Sequence, residues 1–285
     1  MLHLVITDPF PPGFHLGPLQ IRFYGLAYAV AFIVGTMVAS RHLARRGVSR
    51  SLSENIAFWT IVFGLVGARL YFVVQSGWYW YLTHPQHILA FWEGGMAFFG
   101  AIFAAVIVLW WMSRRHHLDF WDLIDAGVIF AAVGQPIGRI GNVMNGEILG
   151  PVSNLPWAVR YTNPASMAPH LGVAYQPANV YEAIGTLAIL AVLLYLRRRG
   201  VPSGVLGLVY LVLYPVSQLI VFNWRTDYET PPVLWGLKQA QLTSLAVILF
   251  VVPPMTYIWW RTRRLATVPD SLSPGETVQP LPHPR

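Results

Sequence analysis

Arg139, Asn142, Asn145 and Glu147 crowd into the stretch GQPIGRIGNVMNGEILG, residues 134–150, at the end of a long apolar run. Arg139 and Asn142 are one turn apart, so on a helix their side chains share a face. Gly134, Gly138, Gly141, Gly146 and Gly150 punctuate the stretch; glycines weaken a helix but let a ligand come close to the backbone. A guanidinium fork matches the oxygens of a phosphate, and neighbouring amides and exposed backbone N–H groups add donors. The chemistry this pattern supports is the binding of a phosphate, and at a membrane face the obvious one is a phospholipid headgroup. The alternative is that these groups pair with opposite charges and only pin helices together.

The elements that must position them lie in lipid. The chain has 285 residues, 55% of them hydrophobic and only 11% charged, which is the composition of a polytopic membrane protein. A hydrocarbon core about 30 Å thick needs about 20 mostly apolar residues per helical span. Seven runs qualify: residues 20–40, 56–75, 88–112, 122–144, 178–196, 204–223 and 240–260. They are long and not alternating, which favours helices over a closed barrel, so the expected fold is all-α with about seven transmembrane helices. Ionisable groups in such spans cost roughly 2.5–3.5 kcal/mol each, so Arg69, Glu93, Asp125, Arg139, Glu147 and Glu182 should face the bundle interior.

The net charge of +7 reports topology rather than nucleic-acid binding. Basic clusters follow alternate spans: Arg41, Arg45, Arg46 and Arg50; Arg114 and Arg115; Arg197 to Arg199; Arg261, Arg263 and Arg264. The intervening loops carry few, so the N-terminus is expected outside and the C-terminus in the cytoplasm. No removable signal peptide is expected at the start MLHLVITDPFPPGFHLG. With no cysteine, thiol chemistry has to come from a substrate. Residues 267–285 are polar and Pro-rich and read as a disordered cytoplasmic tail after a seven-helix integral membrane unit over 1–266. Residues 146–177 form the longest loop, with Trp157 and Tyr161 as expected interfacial anchors. The Pro253–Pro254 pair predicts a kink in the last span.

GRIGNVMNGE resembles the G-R-x-G-N-[FY]-x-N-x-E signature of the prolipoprotein diacylglyceryl transferase family. Around it, IRFYGLAYAVAF with Tyr24, GARLYFV with Arg69, FWEGGMAFFGA with Gly94 and Gly95, QPANVYE with Tyr181 and Glu182, and AQLTSL with Gln241 are similar to further family segments in the same order. The resemblance implies an integral enzyme of the bacterial cytoplasmic (inner) membrane. It implies transfer of a diacylglyceryl group from phosphatidylglycerol to the lipobox cysteine of a preprolipoprotein, with glycerol phosphate released. The partners implied are phosphatidylglycerol, lipobox-bearing signal peptides and membrane lipids; no cofactor or metal is expected. Arg139 is expected to hold the phosphate and Glu147 to line and order the headgroup site, with proton removal assigned to Glu147 or to water. Tyr24, Gly94, Gly95, Asn142, Asn145, Tyr214 and Arg225 are expected to line the substrate site.

Outside that signature the chain departs from the family pattern in the segments after Gly95 and around span six. Phe99 stands where the resemblance places a histidine, Gln218 where it places an arginine, and Phe222 where it places a glutamate, if Tyr214 and Arg225 bound that segment. An alternative register puts Arg225 and Glu229 at the arginine and glutamate positions. A second function reading follows from the departures: a relative that binds phosphatidylglycerol or lipoprotein precursors without transferring. A retinal-type pump would need a lysine in the middle of span seven, whereas Lys238 lies at its edge.

Overall fold

The computed structural model describes residues 5–17, 19–226 and 230–266. The tail expected over 267–285, and Glu229 of the alternative register, lie outside the described residues. The helices are α1 (Phe23–Ala44), α2 (Arg50–Gln75), α3 (Trp78–Thr83), α4 (Phe98–His116), α5 (Phe120–Asn145), α6 (Ala178–Arg198), α7 (Val205–Val221), α8 (Gln239–Ala246) and α9 (Val252–Ala266). Among the described residues, 7 helices are long and apolar enough to cross a membrane, α8 and α9 counting as one stretch from Gln239 to Arg264.

α5 is the hub, packing on α1, α4, α6 and α7. Its inner residues Ile129, Ala132 and Val133 meet Ile189, Leu193 and Leu206 of α6 and α7. Leu123 and Ala126 meet Ala39, Leu43 and Met112 of α1 and α4. α2 and α4 approach closely through glycines: a Cβ on Gly67 would lie 2.6 Å from the Gly100 carbonyl oxygen. Outward faces stay apolar and exposed, as at Ile33, Phe63, Phe103 and Leu187, where lipid is the solvent.

Polar groups in the spans are used to fix helix ends. Asp125 is fully buried on α5 and its two carboxylate oxygens accept from the backbone N–H groups of Gly204 and Gly207, each at 2.8 Å. It thereby caps the start of α7 from a neighbouring helix. Arg69 on α2 is also buried, and its guanidinium donates to the carbonyls of His87, Ile88, Gly94 and Gly95. These bonds hold the segment between α3 and α4 against the bundle.

That segment corrects the expected third span. The helix begins at Phe98 rather than at 88, because residues 85–97 make short 3-10 turns and extended backbone. Gly94 and Gly95 both adopt positive φ, 76° and 75°, a conformation that ends helical winding there. The last span also differs in form. No break occurs at Pro253 and Pro254; a wider π turn over Val247–Val251 precedes them. The prolines lack the N–H groups that would bond the carbonyls of Leu249 and Phe250, and the widened turn accommodates that loss.

Small β elements gather at the end of the bundle where α5 finishes. β1 (Ile6–Asp8), β4 (Val159–Tyr161) and β5 (Ala174–Tyr175) form one sheet in the order β1-β4-β5, with β1 parallel and β5 antiparallel to β4. β2 (Gly13–Leu16) and β3 (Leu19–Arg22) make a hairpin leading into α1, and β6 (Pro232–Leu234) pairs with β7 (Leu237–Lys238) before α8. Loop 146–177 is therefore a folded cap. Tyr161 is no surface anchor: it is 2% exposed, packs with Leu149, Val159 and Tyr175, and its hydroxyl donates to the Val143 carbonyl at 2.8 Å. Burial pushes its phenol well above the usual range, so it stays a neutral donor. Trp157 remains about half exposed and donates to the Tyr181 hydroxyl at 2.8 Å.

Candidate functional site

The last turns of α5 carry the polar cluster. Pro136 removes one backbone donor just before Arg139, and Gly146 closes the helix with φ 77°, its N–H returning to the carbonyls of Asn142 and Val143. The chain then turns sharply through Ile148, a non-glycine residue at φ 59°. Asn179, fully buried at the start of α6, holds this turn: its amide donates to the Glu147 carbonyl at 2.9 Å and its backbone N–H to the Ile148 carbonyl at 3.0 Å. The backbone of Glu147 is thus tied to two helices.

Glu182, one turn further along α6, is the centre of the charge arrangement. Its side chain is 1% exposed and lies 2.5 Å from Nη2 of Arg139 and 3.6 Å from Nη1 of Arg225. A lone buried carboxylate is strongly disfavoured, and two guanidiniums offset that cost. Arg139 Nη1 donates to Asn142 Oδ1 at 3.1 Å, and Asn142 Nδ2 donates to Glu147 Oε2 at 3.1 Å. The amide orientation is fixed by this chain, with a donor on one side and an acceptor on the other. A guanidinium has five N–H donors, and Glu182 and Asn142 engage one terminal nitrogen each. With its side chain 24% exposed, Arg139 keeps donors for an anion, held in a fixed orientation.

The remaining expected residues surround this centre. Tyr24 of α1 is within electrostatic reach of Arg139 and Glu147, and hydrogen-bonds Tyr28 at 3.1 Å. Tyr214 of α7 is within reach of Arg139 and Glu182, with its ring stacked on Tyr210. Asn145 is buried; its Oδ1 accepts from Arg22 at 3.3 Å and its amide meets the Met167 sulfur at 3.1 Å. Arg225 stacks over the Phe222 ring at 4.9 Å, and its carbonyl accepts from Lys238 Nζ. Gly94 and Gly95 instead contact Arg69, and a Cβ on Gly95 would lie 2.3 Å from the Phe72 ring.

Arg139 and Arg225 are therefore joined through Glu182, and Asn142 and Glu147 extend the network from Arg139, with Tyr24 and Tyr214 beside it. Sequence reasoning missed the role of Glu182, which it took only as a family match and an inward-facing acid. The signal was present: an acid in the first turns of a span has to find a cation, and Arg139 and Arg225 were both in reach of the same membrane face. Arg22 and Asn179 were missed because each sits at the very edge of an expected span, where a polar residue needs no partner in lipid. At the departures, Phe222 gives Arg225 a ring face where a glutamate was expected, and Gln218 is buried in α7.

The comparisons with known proteins point to one family. The family model described as "Prolipoprotein diacylglyceryl transferase" matches residues 11–259. A phosphatidylglycerol–prolipoprotein diacylglyceryl transferase of Synechococcus elongatus is 32% identical over 99% of this chain and 98% of its own length. One of the same name from Nostoc sp. is 32% identical over 96% of this chain and 99% of its own length. One from Frankia alni is 33% identical over 88% of this chain and 67% of its own length.

Proposed function

The chain belongs to the prolipoprotein diacylglyceryl transferase family, and from that premise we propose that it transfers a diacylglyceryl group from phosphatidylglycerol to the lipobox cysteine of preprolipoproteins. The observation that carries the reading is the fixed Arg139 guanidinium, oriented by Glu182 and Asn142, with donors left over for a phosphate.

In the proposed reaction the cysteine sulfur attacks the glyceryl carbon that carries the phosphate ester. The C–S bond forms as the C–O bond breaks, and glycerol phosphate leaves with the electron pair and a second negative charge. Arg139 and Arg225 offset that growing charge, which is the kind of preorganised electrostatic aid that lowers a barrier most. Glu147 takes the thiol proton, placed one amide away from Arg139 by Asn142. Asn145, Tyr24 and Tyr214 shape the headgroup site, and Gly94 and Gly95 form a wall held by Arg69.

The seven apolar helices make this a multi-pass membrane protein, and the finer location we propose is the bacterial cytoplasmic membrane. The ends bearing Arg45, Arg114, Arg197 and Arg263 face the cytoplasm and the Glu182 end faces outward. The transferase unit is proposed to lie within residues 1–266, in keeping with a family match that stops at 259.

The test is release of glycerol phosphate from phosphatidylglycerol by the purified protein in the presence of a lipobox peptide. Release in step with thioether formation, and none with a Cys→Ser peptide, supports the transferase. Lipid binding with no release would assign the chain to binding without transfer.

A further inference from the structure

A second polar cluster lies at the other end of the bundle, where α1 and α6 finish and α7 begins. His42, Arg45, Arg46, Arg197, Arg198 and Val201 line a cavity of about 300 Å³ there. His42 is 3% exposed, and neither ring nitrogen has a hydrogen-bond partner among the described residues. Arg197 Nε is likewise buried without one. A buried polar atom left unpaired is costly, and each such atom asks for a ligand or a water. Arg46 is partly used: Nε lies 3.2 Å from Asp122 Oδ1 and Nη2 donates to the Val201 carbonyl at 3.0 Å. Arg45, Arg197 and Arg198 have no ion-pair partner among the described residues.

Two ligand chemistries compete for this site. The ligand atoms of His42, Asp122 and Asp125 lie within 4.8 Å of one another, which could suit a cation. The carboxylates are already engaged, however: Asp125 accepts two backbone N–H bonds at 2.8 Å and Asp122 faces Arg46. Arg45, Arg46 and Arg197 all act electrostatically on His42, so a metal ion would enter against three guanidiniums. An anion meets the opposite field, with forked donors that match phosphate oxygens.

We propose that the His42 cavity binds the phosphate of an anionic headgroup, a site separate from the Arg139 network. One His42 ring nitrogen donates to a phosphate oxygen, and Arg45, Arg197 and Arg198 supply the charge. The cavity opens at the ends of membrane-crossing helices, where a lipid phosphate is at hand. Inorganic phosphate shares the chemistry.

The chain has no cysteine, so Val201→Cys carrying an environment-sensitive fluorophore reports from the cavity rim alone. Full-length protein in neutral detergent is titrated with phosphatidylglycerol, with phosphatidylcholine and with inorganic phosphate. We expect a saturable emission shift with phosphatidylglycerol and little with phosphatidylcholine. The midpoint should rise about tenfold or more in Arg45→Ala/Arg197→Ala, and by less in Arg198→Ala, which serves if the double variant does not fold. A shift with inorganic phosphate alone supports the phosphate site and assigns it to the soluble ion. Equal shifts with both lipids, no shift with any probe, or midpoints unmoved in the folded arginine variants would overturn the proposal.

Discussion

The two carboxylate oxygens of Glu182 each face a different arginine, Oε2 meeting Arg139 on α5 at 2.5 Å and Oε1 meeting Arg225 beyond α7 at 3.6 Å. One buried acid thereby fixes two guanidiniums that come from different segments of the chain, α5 and the stretch beyond α7. The arrangement stabilises the bundle and sets the direction in which the spare Arg139 donors point.

Glu182→Gln keeps the volume and removes the charge. Breaking a buried pair by neutralising one partner costs roughly 3–5 kcal/mol, and the partial exposure of Arg139 puts this case at the low end. We expect a lower thermal midpoint together with a loss of transfer of about a hundredfold, since both arginines lose their orientation. A variant with normal transfer would show that Glu182 does not position them.

Arg69 acts on structure rather than on lipid. Arg69→Lys cannot reach four carbonyls at once, because an ammonium is a point charge without the fork. The 85–97 segment should open, which proteolysis and hydrogen exchange would register there before any change appears at α5. Unchanged protection of that segment would contradict the clamp.

Gly94 and Gly95 separate two effects of glycine. A side chain at either meets the strain of positive φ, about 1–3 kcal/mol. At Gly95 a Cβ also runs into the Phe72 ring at 2.3 Å, whereas nothing lies within 4 Å at Gly94. Gly95→Ala should therefore lower the thermal midpoint several degrees more than Gly94→Ala, and equal shifts would rule out the Phe72 contact as the cause.

Phe99 lies in the first turn of α4 and is half-buried beside Phe98. Phe99→His restores the residue type that the family pattern places there. Transfer should hold or rise; a large fall with the fold intact would mean that the position tolerates only an apolar ring.

The seven spans were legible because lipid demands long apolar helices, and the site was legible where polar groups interrupt them. Asn142 could be read beside Arg139 from its one-turn spacing, whereas Glu147 lies past the end of α5 and reaches the cluster through Asn142. The start of α4 could not be read, since residues 88–97 are apolar enough to resemble a span, and only the positive φ of Gly94 and Gly95 ends the winding. Tyr161 misled for a related reason. An aromatic in a polar loop reads as an anchor until β4 pairs with β1 and β5 and buries it. Partnerships such as Glu182 with Arg225 join segments far apart in sequence, and their choice is made by packing.

The most direct test of the central claim is mass spectrometry of a lipobox peptide incubated with the protein and phosphatidylglycerol, with Arg139→Lys and Arg139→Ala beside it. We expect a diacylglyceryl mass gain on the cysteine with the wild-type chain, reduced about a hundredfold or more in both variants while they remain folded. Wild-type turnover in Arg139→Lys or Arg139→Ala would contradict the phosphate role of Arg139, and no gain with the wild-type chain would contradict the transferase itself.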